Sequence, residues 1–403
     1  MTIIEGTVPE TPAVGCPLQG MSETRWDVTI VGAGLAGGVA AYLLAQRGWR
    51  VLLLERAAWP REKTCGGCLN TTALAALEQM GLGSVCADAP VLERVLWHAG
   101  TQRLQLAAGG VAIDRSLLDA RIVACCVERG ATFLAGVSAT VVPDGDPTAY
   151  RTLRLLSRGQ TVTIQSALVL ACDGINGSCL AEEPWAAWHI DRNAWMGVST
   201  VYAPGIDDLP RGAIHMCIGR GGYVGLVRLT DQRVHLAAAL APKLCQRSGG
   251  PAVLIAQILQ SSRKLVPREL REARWCGTGL LTRYRPVLGG LRVLVLGDAC
   301  GYVEPFTGQG MAWAIQSSRT VVDLLPSPQA PWPEDLPRRW QHCHRATIGR
   351  QQIWCRALRA MIHQPALAAA GLALGRTLPR VGAFLANHIG GLNAPVALQG
   401  VKA

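Results

Sequence analysis

A β-branched run that ends in glycines and continues into a helix restricts this chain more than any other feature. Asp27 to Val31 reads DVTIV, a short strand; Gly32-Ala33-Gly34-Leu35-Ala36-Gly37 follows; Val39 to Arg47 has helical composition; Arg50 to Leu54, RVLLL, is a second strand too apolar to face water. Strand, glycines, helix and strand in this order make a βαβ unit. Its glycines divide the work. Gly32 permits the tight turn, Gly34 leaves room for a pyrophosphate against the backbone, and Gly37 lets the helix close on the sheet. The helix start at Leu35 and Ala36 offers amides and partial positive charge to the phosphates. Glu55 closes the second strand, 21 residues past Gly34. A carboxylate there accepts both hydroxyls of an adenosine ribose and repels a 2′-phosphate, so the expected ligand is FAD or NAD rather than NADP.

The remaining composition is that of a folded protein. Of 403 residues, 49% are hydrophobic and 17% charged, and the mean hydropathy of +0.22 excludes disorder over most of the length. Fourteen cysteines are too sparse for a disulfide scaffold and no cleavable apolar leader opens the chain, so a cytoplasmic protein is expected. The longest apolar stretch, Ala366 to His388, is interrupted by Arg376, Pro379 and Arg380 and is not expected to span a bilayer. Most of the net charge of +11 lies at one end: from Pro331 onwards there are nine Arg or Lys and two acids, a net +7.

A second glycine cluster lies far downstream. Arg292 to Leu296, RVLVL, is a buried-type strand leading into Gly297-Asp298-Ala299-Cys300-Gly301, and Glu304-Pro305-Phe306-Thr307-Gly308-Gln309-Gly310-Met311 opens a helix that runs to Leu325. Gly297-Asp298 after a strand places a carboxylate beside a ribityl chain, and Pro305 to Gly310 bring amides to a flat ring. The positive end of the new helix faces that ring. Residues 25–184 and 275–325 are therefore expected to form one dinucleotide-binding domain with a parallel sheet. Between them, 185–274 carries short strand-like runs, MGVSTVY, GYVGLVRL and RVHLAAAL, expected to be an inserted antiparallel sheet. Residues 1–24 are read as a flexible leader and 326–403 as a basic, helical C-terminal region.

These residues together resemble the p-hydroxybenzoate-hydroxylase-type FAD-dependent oxidoreductases. The resemblance rests on Gly32-x-Gly34-x-x-Gly37, Glu55-Arg56, Asp114-Arg115-x-x-Leu118, Cys172-Asp173-Gly174-x-x-Gly177-Ser178 and Gly297-Asp298 with Pro305-x-x-Gly308-x-Gly310, in order from residue 27 to about 325. It implies an α/β, Rossmann-type FAD-binding domain with the inserted sheet over the flavin. It also implies that Glu55 takes the ribose, Arg115 runs along the phosphates and ribityl chain, and Asp298 binds the ribityl hydroxyls. Asp173 and Gly174 would brace the pyrophosphate and the path of a transient NAD(P)H. Pro60-Arg61-Glu62-Lys63-Thr64-Cys65-Gly66-Gly67 resembles the P-x-x-K-x-C-G-G segment of the geranylgeranyl-reductase-like branch, which faces the flavin. Trp185-Ala186-Ala187-Trp188 lacks the W-x-W-x-I-P spacing of the flavin halogenases.

Several readings stay open. Cys65-Gly66-Gly67-Cys68 is a contact to flavin or substrate, a redox pair, half a zinc site or inert packing; a metal is not expected, because no second C-x-x-C follows. Cys65 is the one candidate near the reacting ring, and no acid or base is nominated; His189, His215 and His235 are read as ordinary sheet residues. Trp195, Tyr202, Met216 and Tyr223 are expected to line an apolar pocket for an isoprenoid, polyketide or aromatic substrate. Hydride transfer through flavin N5 competes with O2-dependent hydroxylation, and a flavin-binding protein without turnover is the reading from another class. On the tail helix, Trp354, Leu358, Met361 and Ile362 share a face with Arg356 and Arg359 elsewhere, suited to docking on the flavin domain or to peripheral contact with an anionic membrane. Nucleic acid is not expected as a partner.

Overall fold

The computed structural model describes residues 18, 20–143, 149–203, 209–264, 266–304, 306, 308–328 and 330–378. Pro305, most of the expected leader and the tail beyond 378, with Arg380 and Lys402, lie outside them. The first strand is Arg25–Val31, the glycine turn delivers the helix Leu35–Gln46, and the second strand is Val51–Glu55. These strands are buried on both faces: Val28 and Ile30, and Leu52 to Leu54, have no exposed surface. That is the signature of a parallel sheet covered on either side.

The sheet runs Gly289–Gly290, Val293–Val295, Gln160–Ala171, Arg25–Val31, Val51–Glu55, Thr132–Ala135 in spatial order. The four pairings from Val293–Val295 through to Thr132–Ala135 are parallel, with Val28 opposite Val51 and Leu168, and Ala171 opposite Val295. Ser138–Val142 and Arg151–Ser157 extend it as an antiparallel ribbon. Strands from early and late in the sequence thus flank Gln160–Ala171 in one sheet, so the early and late glycine clusters emerge at the same edge.

The second sheet has seven strands, ordered Cys276–Leu280, Met196–Tyr202, Val234–Leu240, Gly222–Arg228, Ala213–Gly219, Arg94–Ala99, Gln102–Ala107. It is wider than residues 185–274. The hairpin of Arg94–Ala107 leaves the first domain to complete it, pairing in parallel with Ala213–Gly219, so Ile214 faces Val95. A parallel partner more than a hundred residues downstream leaves no local mark in a six-residue strand. Alternation divides the faces. Ile214 and Met216 point to a cavity beneath the sheet, whereas Cys217 packs on the other side with Leu254, Ile255 and Ile258 of the helix Pro251–Ser261.

The C-terminal region is helical where described. Leu336–His344 passes through one π turn, Arg345–Gly349, into Arg350–Ile362, and Pro365–Thr377 follows. Trp340, fully buried, donates its indole N–H to the Val295 carbonyl at 2.9 Å, fastening this region to the parallel sheet. The last helix packs on the Arg94–Ala107 hairpin.

Candidate functional site

The glycine turn is built by close approach. Gly32 has φ +105°, and a Cβ there would meet the Cys172 carbonyl oxygen at 2.4 Å; a Cβ on Gly37 would meet the Gly32 oxygen at 1.8 Å. Gly34 differs, because a Cβ on it would strike no backbone but would point at three cations: Arg61 Nη2 at 3.5 Å, Lys63 Nζ at 3.6 Å and Arg115 Nη2 at 3.8 Å. Open space over backbone amides, ringed by three positive side chains, is the environment of a bound diphosphate.

The cations are held by buried acids. Arg115 and Asp119, one helical turn apart, pair through Nη2 at 2.9 Å, and Arg61 reaches Asp119 at 3.1 Å and Glu55 at 2.7 Å. Glu55 also accepts the N–H of Ala33 at 3.3 Å and of Ala57 at 3.1 Å, which fixes it at the end of its strand. Lys63 lies 3.8 Å from Asp298. Loss of water around Lys63, then the charge of Arg115, lowers its pKa from the ordinary lysine value. An arriving anion would reverse that shift.

The two glycine clusters touch. A Cβ on Gly297 would lie 2.7 Å from that of Ala36, Ser318 Oγ donates to the Ala36 carbonyl at 2.7 Å, and Cys65 Sγ is 4.0 Å from Met311 Sδ. Between them and the second sheet lies a cavity of about 410 Å³. Gly32, Gly34, Leu35, Ala36, Glu55, Arg56, Lys63, Cys65, Gly66, Arg115, Asp173, Gly174, Asp298, Gly308, Gly310 and Met311 all line it. A Cβ on Gly66 would meet nothing within 4 Å, so the backbone is bare to the cavity there. The residues present fit FAD: a carboxylate at Glu55, three cations about Gly34 and open backbone at Gly66.

Residues 25–204 match the family model described as FAD binding domain. The chain carries an FAD-binding domain of the p-hydroxybenzoate-hydroxylase-like family and is an FAD-dependent oxidoreductase. It is 28% identical over 363 residues to menaquinone reductase of Mycobacterium tuberculosis, covering 84% of each chain. It is 26% identical over 336 residues to kynurenine 3-monooxygenase of Xanthomonas campestris, covering 74% of this chain and 71% of the relative. Among solved structures, a geranylgeranyl bacteriochlorophyll reductase-like protein of Thermoplasma acidophilum superposes with TM-score 0.71 at 14% identity over 91% of this chain and 99% of its own. A flavin-dependent brominase superposes with TM-score 0.71 at 18% identity over 91% and 94%. At such identities the structural likenesses establish the fold.

Within this oxidoreductase the other expected residues have supporting places. Gly37 and Gly297 allow close packing, Gln309 precedes the first turn of the helix Gly310–Leu324, and Gly67, at φ +66°, turns under the His235 ring, 3.1 Å from where its Cβ would be. Asp173 accepts the N–H of Cys179 at 2.8 Å and braces its own turn, and Arg56, on the rim, bonds the Asn176 carbonyl at 3.3 Å.

Several readings need correction. His235 is no ordinary sheet residue: 4% exposed, it bonds the Cys65 carbonyl at 2.8 Å and holds the Cys65–Gly67 segment to the second sheet. Met216 and Tyr223 line the cavity, but Tyr202 lies on the other face of its sheet among the residues beneath the helix Pro251–Ser261, as strand alternation requires. Trp195 stands behind Tyr223, its ring stacked on His363 at 3.6 Å. On the tail helix the expected face divides: Ile362 is 1% exposed and Trp354 56%, while Arg359 turns inward to Glu304 at 2.9 Å. Asp119 belongs to the site without having been read from the sequence, and Arg61 and Phe306 were read only as members of longer segments, with no role of their own. The spacing of Asp119 four residues after Arg115 was the available signal. Among the described residues no group of three or more His, Cys, Asp or Glu side chains is placed to hold a metal.

Proposed function

We propose that this oxidoreductase is a reductase of the geranylgeranyl-reductase-like branch, taking electrons from NAD(P)H and passing hydride to a neutral, isoprenoid-bearing acceptor. One observation carries the reading. The charged side chains lining the cavity all come from the flavin side, Glu55 to Lys63, Arg115, Asp173 and Asp298, and the second sheet contributes none. Its wall is Val95, Trp97, Ile214, Met216 and Leu226 with a floor of Gly225 and Ala237 to Ala239. A charged substrate would lose its water there without a counter-ion. The relatives named menaquinone reductase support the same choice.

FAD, when bound, supplies two-electron chemistry through N5. The protein's part is to hold and exclude. Tyr223, 4% exposed, has a hydroxyl with no hydrogen-bond partner among the described residues, and we assign it to the oxygen of the acceptor. Trp97 and Phe306, in edge contact at 4.2 Å, close the apolar end against water. The test is anaerobic turnover of menaquinone with NADPH, followed by product mass. Addition of H2 without O2 supports the reductase, whereas turnover that requires O2 and adds one oxygen atom favours hydroxylation. Tyr223→Phe should retain FAD and lower kcat/KM about tenfold, the scale of one lost hydrogen bond.

We also propose that the last two helices meet an anionic membrane, from which such an acceptor would enter. No described helix is long and apolar enough to cross one. Support comes from Ile353, Trp354, Leu367 and Leu374, all between 49% and 62% exposed, beside a terminal region of net +7. Flotation with phosphatidylglycerol vesicles but not phosphatidylcholine vesicles is the expected result; equal absence from both would remove this contact.

A further inference from the structure

We propose that Arg359 of the helix Arg350–Ile362 and His363, the residue that caps its C-terminus, are positioning residues for the flavin ring, acting through Glu304. This rests on the FAD assignment above. Glu304 begins the segment that carries Phe306, Gly308, Gly310 and Met311 to the cavity, and its carboxylate is 1% exposed. A carboxylate so buried has to be compensated where it stands. Both compensating groups come from one helix and its C-terminal cap some 55 residues on: Arg359 Nε bonds Oε1 at 2.9 Å and His363 Nε2 bonds Oε2 at 2.9 Å.

The same two side chains also hold the entry to the second sheet. Arg359 Nη1 pairs with Asp191 at 2.9 Å, Nη2 donates to the Asn193 carbonyl at 2.7 Å, and the His363 ring lies parallel to Trp195 at 3.6 Å. The hydrogen bond from Arg359 keeps Asp191 ionised, below the ordinary carboxylate range. From Trp195 the rings continue to Tyr223 at 6.1 Å, then to Phe306 at 5.0 Å and Trp97 at 4.2 Å, so an aromatic chain joins the helix to the cavity wall. One helix therefore sets both the segment under the flavin and the wall opposite it. Arg356, exposed one turn earlier on that helix, is the natural control.

The full chain, with and without FAD, is compared as wild type, Arg359→Ala, Arg359→Lys, His363→Asn and Arg356→Ala, by hydrogen exchange and by the visible absorption and circular dichroism of bound flavin. Arg359→Ala should keep FAD through its untouched phosphate cations. Its amides from Val303 to Met311 should exchange about tenfold faster or more, with a changed flavin band. Arg359→Lys should recover part of the effect, His363→Asn should fall between, and Arg356→Ala should match wild type. Wild-type exchange and flavin bands in Arg359→Ala, or in His363→Asn should the first fail to fold, would overturn the proposal. Loss of protection spread over the whole chain would also overturn it, in favour of a purely structural helix. Because exchange is read without cofactor too, a wild type that binds no FAD would sink the cofactor assignment while still testing the strap.

Discussion

Gly34 and Lys63 state the cofactor argument at its smallest scale. Gly34→Val would fill the gap facing Arg61, Lys63 and Arg115 without touching the sheet, so FAD retention should be lost while the melting temperature of the FAD-free chain stays within a few degrees. Absorbance near ~450 nm after purification, a property of oxidised flavin, checks it. Lys63 makes a signed prediction. Its pKa is lowered in the free site, an anion favours the charged form, and so binding draws a proton onto it. FAD affinity should therefore fall as pH rises through the lowered pKa, and Lys63→Met should weaken affinity about tenfold and flatten that dependence. Binding that is indifferent to pH in both proteins would contradict the assignment. Gly34 is legible from sequence because the turn that needs it is local, and Lys63 is legible only through the resemblance of its Pro60–Gly67 segment. Arg61 is not, since its value comes from reaching both Glu55 and Asp119, 58 residues apart in its case from the latter.

At the scale of elements, neighbouring strands create groups that no single strand announces. His98 and His215 sit side by side on Arg94–Ala99 and Ala213–Gly219, stacked at 5.6 Å, with 1% and 2% exposure and, among the described residues, no hydrogen-bond partner on any ring nitrogen. Burial first, and then the charge of Lys264, brings their pKa values down to about 4 and about 3. Both stay neutral in the fold while the unfolded chain takes up protons below about pH 6.5, so stability is full above that value and declines as pH falls from it towards 3. Each histidine should cost about 2 kcal/mol at most between pH 6.5 and 5, and His215→Leu should shrink the loss of melting temperature between pH 7 and 5. An unchanged acid limb in that variant would refute this account. The strands holding these rings were not legible: Ala213–Gly219 reads AIHMCIG, buried almost throughout without alternation, and its pairing with Arg94–Ala99 depends on parallel register across the molecule. The inward turn of Arg359 was hidden for the same reason, because amphipathic spacing marks a face without saying which acid waits opposite.

Over the whole molecule, the proposed cofactor site draws on early and late stretches of the chain. The parallel sheet takes Val293–Val295 from the late half, and Asp298, Gly308 and Gly310 complete what Gly34 and Glu55 begin. A fragment of residues 25–184 should therefore bind no FAD and elute as aggregate on gel filtration, whereas the full chain should melt in one transition that FAD shifts upwards. Two separate transitions, or a yellow monomeric fragment, would count against it. The hairpin of Arg94–Ala107 carries a mechanical corollary. Because the backbone passes from one layer to the other there, returns, and crosses again at Trp195 and near Leu280, the layers are stitched at several seams and cannot swing apart on a single hinge. Traffic to and from the ring is then left to side chains and short loops, such as the Trp97 and Phe306 pair, yielding within a frame that holds its shape.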